Sequence, residues 1–144
     1  MEQRINEFHP QAEMTAEAAK QLSPLSLAFI GDTAYETALR TMILQECDRT
    51  PKDLQKLSSR YAKAETQAVM AERLLDHFNE AEAEIYQRGR NSKSHTVPKH
   101  ASVAEYRAAT GLEAVFGFLY LSGQTERFYE LIREGMAAVH EEGI

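Results

Sequence analysis

Apolar residues along this chain recur at steps of three and four, and no stretch alternates apolar and polar residues with period two. Steps of three and four give helices with one buried face, and without the alternation no half-buried strand is indicated. Seven Gly and four Pro are all that punctuate 144 residues. The pattern predicts an all-α domain of six or seven helices. The length leaves no room for a second full-sized domain. A composition of 43% hydrophobic and 26% charged residues is that of an ordinary globular chain. A chain of this size buries roughly 70% of its unfolded surface, so one core suffices without disulfides.

The helix boundaries are predicted from caps and breakers. A short helix lies within Thr15–Leu22. Ser23 caps the next, with Pro24 in its first turn, and it runs to about Glu46. Thr50-Pro51 opens a helix to about Tyr61, and another covers about 63–78. Asn79 caps a helix ending near Gly89. Residues 90–101, RNSKSHTVPKHA, read as a polar loop. Ser102 and Glu105 have capping-box spacing, and their helix runs to about Ser122 before Gly123. The last helix covers about Thr125–His140.

Cys47 is the single cysteine. It excludes an intramolecular disulfide and a Cys-based zinc cage, and it suits a reducing, cytoplasmic setting. No run approaches the roughly 18 apolar residues of a membrane span, so no membrane partner is expected. The N-terminus is acidic and has no apolar run, which argues against a secretory signal or a transit peptide.

The net charge of −6 predicts no bulk affinity for nucleic acid, but its distribution is uneven. Residues 49–63 hold five basic side chains against Asp53 alone, and residues 88–107 hold five against Glu105 alone. The rest of the chain carries 6 basic and 20 acidic residues. Segregation of this kind makes either a phosphate-binding face on an acidic protein or two solvated basic faces with no partner. Glu80, Glu82 and Glu84 alternate along a helix, face different ways and read as solvated.

Two carboxylates stand in apolar surroundings. Asp32 is the only charge between Lys20 and Glu36, and Glu113 the only one from Ala108 to Thr125. On a helix, Asp32 shares a stripe with Leu25, Phe29, Glu36, Leu39 and Ile43, which predicts that this stripe is the buried one. Glu113 shares its face with Val103, Tyr106, Thr110, Gly117 and Tyr120. A lone acid on a buried stripe must be paired, protonated or bound to a cation. Two such acids brought together suit a hard divalent cation, Mg²⁺ or Mn²⁺, rather than zinc. The alternative is that each caps a helix or meets an arginine such as Arg40 or Arg107. Gly31 beside Asp32, and Gly111 and Gly117 beside Glu113, mark close approach of another backbone or of a ligand.

These residues also carry a family resemblance. SLAFIGDTAYE, residues 26–36, resembles the signature helix of the ribonuclease III family, and LEAVFGFLYL, residues 112–121, resembles its second acidic helix. Residues 86–114, YQRGRNSKSHTVPKHASVAEYRAATGLEA, are similar to the linker and helix of the short Mini-ribonuclease III branch, which lacks the double-stranded-RNA-binding domain. The resemblance covers about residues 22–140. It implies an N-terminal extension over 1–21 and a catalytic domain over 22–144 with the ribonuclease III endonuclease fold. It further implies a homodimer, Mg²⁺-dependent hydrolysis of double-stranded RNA with Mn²⁺ as a substitute ion, and maturation of precursor 23S ribosomal RNA.

By motif position, Asp32 and Glu113 correspond to the catalytic, metal-binding acids. Two further acids of full-length ribonuclease III are replaced by Ala28 and Thr110. The RNA contacts expected on this basis are Arg88, Arg90, Asn91, Lys93 and Lys99 before the Glu113 helix, and Lys56, Arg60 and Lys63 on the 49–63 face. His95 and His100 are further contacts or bystanders in the basic loop. The dimer surface is expected on helix 25–46. Two other classes fit the same acids. An all-α Mg²⁺-dependent nucleotide pyrophosphatase would hydrolyse free nucleoside triphosphates. A non-catalytic helical RNA-binding or ribosome-assembly module is favoured by Ala28 and Thr110.

Overall fold

The structure is a computed structural model describing Glu7 and residues 14–46, 49–92 and 101–143. Among the described residues there are seven helices and no strand. They are α1 (Ala16–Lys20), α2 (Pro24–Glu46), α3 (Pro51–Ala62), α4 (Ala64–Leu74), α5 (Glu80–Arg90), α6 (Val103–Leu121) and α7 (Thr125–Glu141). No helix is long and apolar enough to cross a membrane among the described residues.

The helix starts follow from local chemistry. Thr15 accepts from the Ala18 amide and Thr50 from the Asp53 amide, and Pro51 opens α3. Asn79 with Glu82, and Ser102 with Glu105, form reciprocal capping boxes that satisfy two orphan donors each. The helix expected over 63–78 ends earlier, at Leu74. The His77 and Phe78 amides both turn back to the Leu74 carbonyl, and Phe78 packs on Tyr86, ring centroids 5.4 Å apart.

The core is built around α6, which packs against α1, α2, α4, α5 and α7. From Ala109 to Leu119 every residue of α6 is buried except Glu113, which is half-buried. A helix apolar all round belongs at the centre of a fold.

The α2 stripe differs from the expectation. Leu25 and Asp32 are exposed and Phe29 is 80% exposed, whereas Leu27, Ala28, Gly31, Ala34, Tyr35, Ala38 and Leu39 face inward. The inward face carries the small residues because α6 comes into backbone contact there. A Cβ on Gly31 would lie 1.8 Å from the Glu113 carbonyl oxygen, and one on Gly117 would lie 1.9 Å from the Leu27 carbonyl oxygen. A face with Phe29 on it has no room for such an approach.

Glu82 also departs from the solvated reading. It is fully buried, accepting Arg127 Nε at 2.9 Å, Arg127 Nη2 at 2.8 Å and the Asn79 amide at 2.9 Å. Arg127 also donates to the His77 carbonyl, so one guanidinium ties the start of α5 to α7. A buried carboxylate needs such a set of partners.

Candidate active site

Crossing at Gly31 and Gly117 puts Asp32 of α2 beside Glu113 of α6. Asp32 faces solvent and Glu113 sits behind it, half-buried. Burial pushes the Glu113 carboxyl up to about 9, and a hydrogen bond and repulsion from Asp32 add to the rise. Glu113 therefore keeps its proton at neutral pH unless a cation takes the proton's place. Neither acid has a Lys or Arg ion-pair partner among the described residues. Arg40 pairs instead with Glu36, at 2.6 Å.

No group of three or more His, Cys, Asp or Glu side chains suited to a metal occurs among the described residues. The two positions one turn before the acids explain part of this. Ala28 is buried, and Thr110 is buried with its hydroxyl donating to the Tyr106 carbonyl at 3.0 Å. A pair of carboxylates open to solvent on one side fits Mg²⁺, which keeps several waters and takes one or two carboxylates plus substrate phosphate.

One turn beyond each acid lies a ring that the sequence reading did not single out. Tyr35 and Phe116, both fully buried, stack with centroids 5.4 Å apart and planes 7° from parallel. Burial raises the Tyr35 phenol well above its usual range, so it stays a hydrogen-bond donor. Its place three residues after Asp32 was the available signal.

The basic residues divide. Lys56, Arg60 and Lys63 are exposed on α3 and at its junction with α4, and Arg90 and Asn91 are exposed at the end of α5. Both elements pack on the acid-bearing helices. Arg88 is half-buried and donates to the Lys20 and Leu22 carbonyls at 3.1 and 3.4 Å, so it ties the end of α1 to α5. Lys93, Lys99, His95, His100 and Cys47 lie outside the described residues.

Residues 25–124 match the Ribonuclease III domain family. The chain is 40% identical over 142 residues to the Mini-ribonuclease 3 of Thermoanaerobacter sp. (strain X514), covering 98% of this chain and 100% of that one. It is 40% identical to the Mini-ribonuclease 3 of Clostridium tetani over 84% of this chain and 81% of the relative, and 39% identical to that of Staphylococcus aureus over 85% and 92%. A crystal structure of a Fusobacterium nucleatum protein matches with a TM-score of 0.73 at 31% identity, covering 78% of this chain and 90% of the other. The chain therefore belongs to the ribonuclease III family, alongside the Mini-ribonuclease 3 proteins, and is an endoribonuclease of that type.

Proposed function

We propose that this chain is a Mg²⁺-dependent endoribonuclease that cleaves double-stranded RNA as a homodimer, with precursor 23S ribosomal RNA as its substrate and Mn²⁺ as a substitute ion. The ribonuclease III family in general depends on divalent metal, acts on double-stranded RNA and works as dimers. The observation that carries the reading here is the Asp32–Glu113 pair at the meeting point of α2 and α6, two carboxyls without a Lys or Arg ion-pair partner among the described residues. Asp32 and Glu113 would hold the ion. When bound, it supplies an activated water and stabilises charge on the phosphate and the leaving 3′-oxygen.

The chain's own residues do the rest. Asp32, facing solvent, is the acid the substrate reaches first. Glu113, held from behind by the α6 core, must give up its proton for the ion to be shared. Lys56, Arg60 and Lys63 on one side, and Arg90 and Asn91 on the other, meet the phosphates of the duplex. Such recognition reads shape and backbone rather than base sequence. Lys93 and Lys99, which lie outside the described residues, are kept as RNA contacts on their charge alone. With Ala28 and Thr110 where further carboxylates would stand, the ion would depend on RNA for part of its coordination.

The dimer is supported by the exposed face of α2. Phe29 is 80% exposed and Leu44 59% exposed on that helix. Beside Leu44 lies a cavity of about 240 Å³ lined by Arg40, Ile43, Leu54, Gln55 and Ser58 among others. A two-fold packing of α2 on its copy would set Phe29 of one chain towards this cavity of the other, and would place two acid pairs across one duplex.

Cleavage of a duplex RNA by purified protein in Mg²⁺ and in EDTA, with Asp32→Asn alongside, tests the reading. The expected result is cleavage by the native protein in Mg²⁺ only, and a loss of roughly a thousandfold or more in the variant. Wild-type cleavage by Asp32→Asn in saturating Mg²⁺ would remove the acid pair from the chemistry. Hydrolysis of free nucleoside triphosphates in place of RNA would transfer the protein to the pyrophosphatase class.

A further inference from the structure

The last carbonyls of a helix have no partner inside it, and water or a following glycine satisfies most of them. At the end of α3 three successive carbonyls are instead met by buried side chains. The Thr66 hydroxyl donates to the Arg60 carbonyl at 2.9 Å, the Tyr35 hydroxyl to the Tyr61 carbonyl at 2.9 Å, and the Gln67 amide to the Ala62 carbonyl at 3.5 Å. Thr66, Gln67 and Tyr35 are 1%, 2% and 0% exposed. Lys63 follows in extended backbone, at φ −64° and ψ 146°, and serves at once as the end of α3 and the start of α4.

Two of the three clamps come from α4, the next helix. Tyr35 alone comes from α2. It stands one turn past Asp32, its ring flat on Phe116, one turn past Glu113. The side chain stacked between the two acid-bearing helices is therefore the one that holds the middle carbonyl of the corner. Arg60 and Lys63, at that corner, are exposed.

We propose that Tyr35 is a positioning residue: its hydroxyl fixes the α3–α4 corner, with Arg60 and Lys63, relative to the Asp32–Glu113 pair. RNA phosphates held at the corner are thereby delivered to the acids in a set register. The inference rests on the reading of Arg60 and Lys63 as RNA contacts. Tyr35→Phe keeps the ring on Phe116 and removes the hydroxyl, with its bond to the Tyr61 carbonyl at 2.9 Å and its longer contact to the Met70 sulfur at 3.5 Å. The corner then keeps its charges but loses its fixed distance from the acids, so the loss falls on substrate binding rather than on chemistry.

Steady-state cleavage of a duplex RNA by the full chain tests this. Tyr35→Phe should raise KM for the duplex about three- to tenfold, the effect of one net hydrogen bond, with kcat within about twofold. Thr66→Val, which removes a second clamp without changing shape, should raise KM in the same way. Thr66→Ser, which keeps the donor, should restore it. An unchanged KM in Tyr35→Phe, a fall in kcat alone, or a Thr66→Ser variant as impaired as Thr66→Val overturns the inference. The double variant Arg60→Ala/Lys63→Ala separates the two levels. If it leaves KM unchanged, the RNA-contact reading itself fails. If it raises KM while Tyr35→Phe does not, only the positioning role falls.

Discussion

Gly31 lies in backbone contact with Glu113: a Cβ on Gly31 would sit 1.8 Å from the Glu113 carbonyl oxygen and 2.7 Å from the Gly117 amide nitrogen. Both obstacles are backbone, so neither can swing aside. Gly31→Ala must push α2 away from α6, and Asp32 moves with it. We expect a stability loss of about 3 kcal/mol, the upper end for overpacking because the neighbour is rigid backbone, and a loss of cleavage larger than the unfolded fraction explains. Urea unfolding midpoints and cleavage rates, measured together, check this. A fully active, fully stable alanine variant would contradict the crossing geometry.

Glu113→Gln should abolish cleavage and stabilise the metal-free protein. An unfolded carboxyl ionises above its ordinary value of 4.5, while the folded one keeps its proton to about 9. Between those values the folded state binds the extra proton, so native stability falls as pH rises through the window. Glutamine has no charge to bury and escapes the penalty. The variant should therefore melt a few degrees above wild type at pH 8 in EDTA, with the gap closing towards pH 4.5. Melting curves at several pH values decide it, and a gap that widens on acidification would reverse the sign.

Phe29→Glu should yield a monomer. The residue buries almost nothing within one chain, at 80% exposure, so its replacement leaves the fold intact. Light scattering coupled to gel filtration should show half the wild-type mass, and double-strand cleavage should drop accordingly. A dimer of undiminished stability would move the two-fold interface away from α2.

Arg88 and Arg90 should separate stability from binding. Arg88→Ala leaves the Lys20 and Leu22 carbonyls without their donor and should cost about 1–2 kcal/mol. Arg90→Ala touches an exposed side chain and should leave the melting temperature unchanged while flattening the salt dependence of duplex binding by about one counterion. Titrations at several salt concentrations, paired with thermal melts, test both.

Metal and RNA should bind with positive linkage. Two carboxylates, without a third candidate ligand among the described residues, hold Mg²⁺ weakly on their own. Adding a non-cleavable duplex should tighten apparent metal affinity by tenfold or more, on the order of 1.4 kcal/mol of coupling. Calorimetric titration with and without duplex gives the number directly, and equal affinities would mean that the protein builds the site alone.

Helix positions were legible in the sequence because capping and periodicity are local. Thr50-Pro51, Asn79 and the Ser102–Glu105 box each mark a helix start with chemistry contained in a few residues. The isolation of Asp32 and Glu113 was legible for the same reason, since an acid inside an apolar run shows in one dimension. What the sequence alone did not decide was which side of α2 goes inward. Hydrophobicity ranks Phe29 and Leu25 above Ala28 and Gly31, but a backbone-close crossing selects small residues, and that crossing exists only once α6 is in place. The roles of Glu82 and Arg88 were hidden too. Their partners lie 45 and 68 residues away along the chain, and whether a charge is solvated or buried depends on what folding brings beside it.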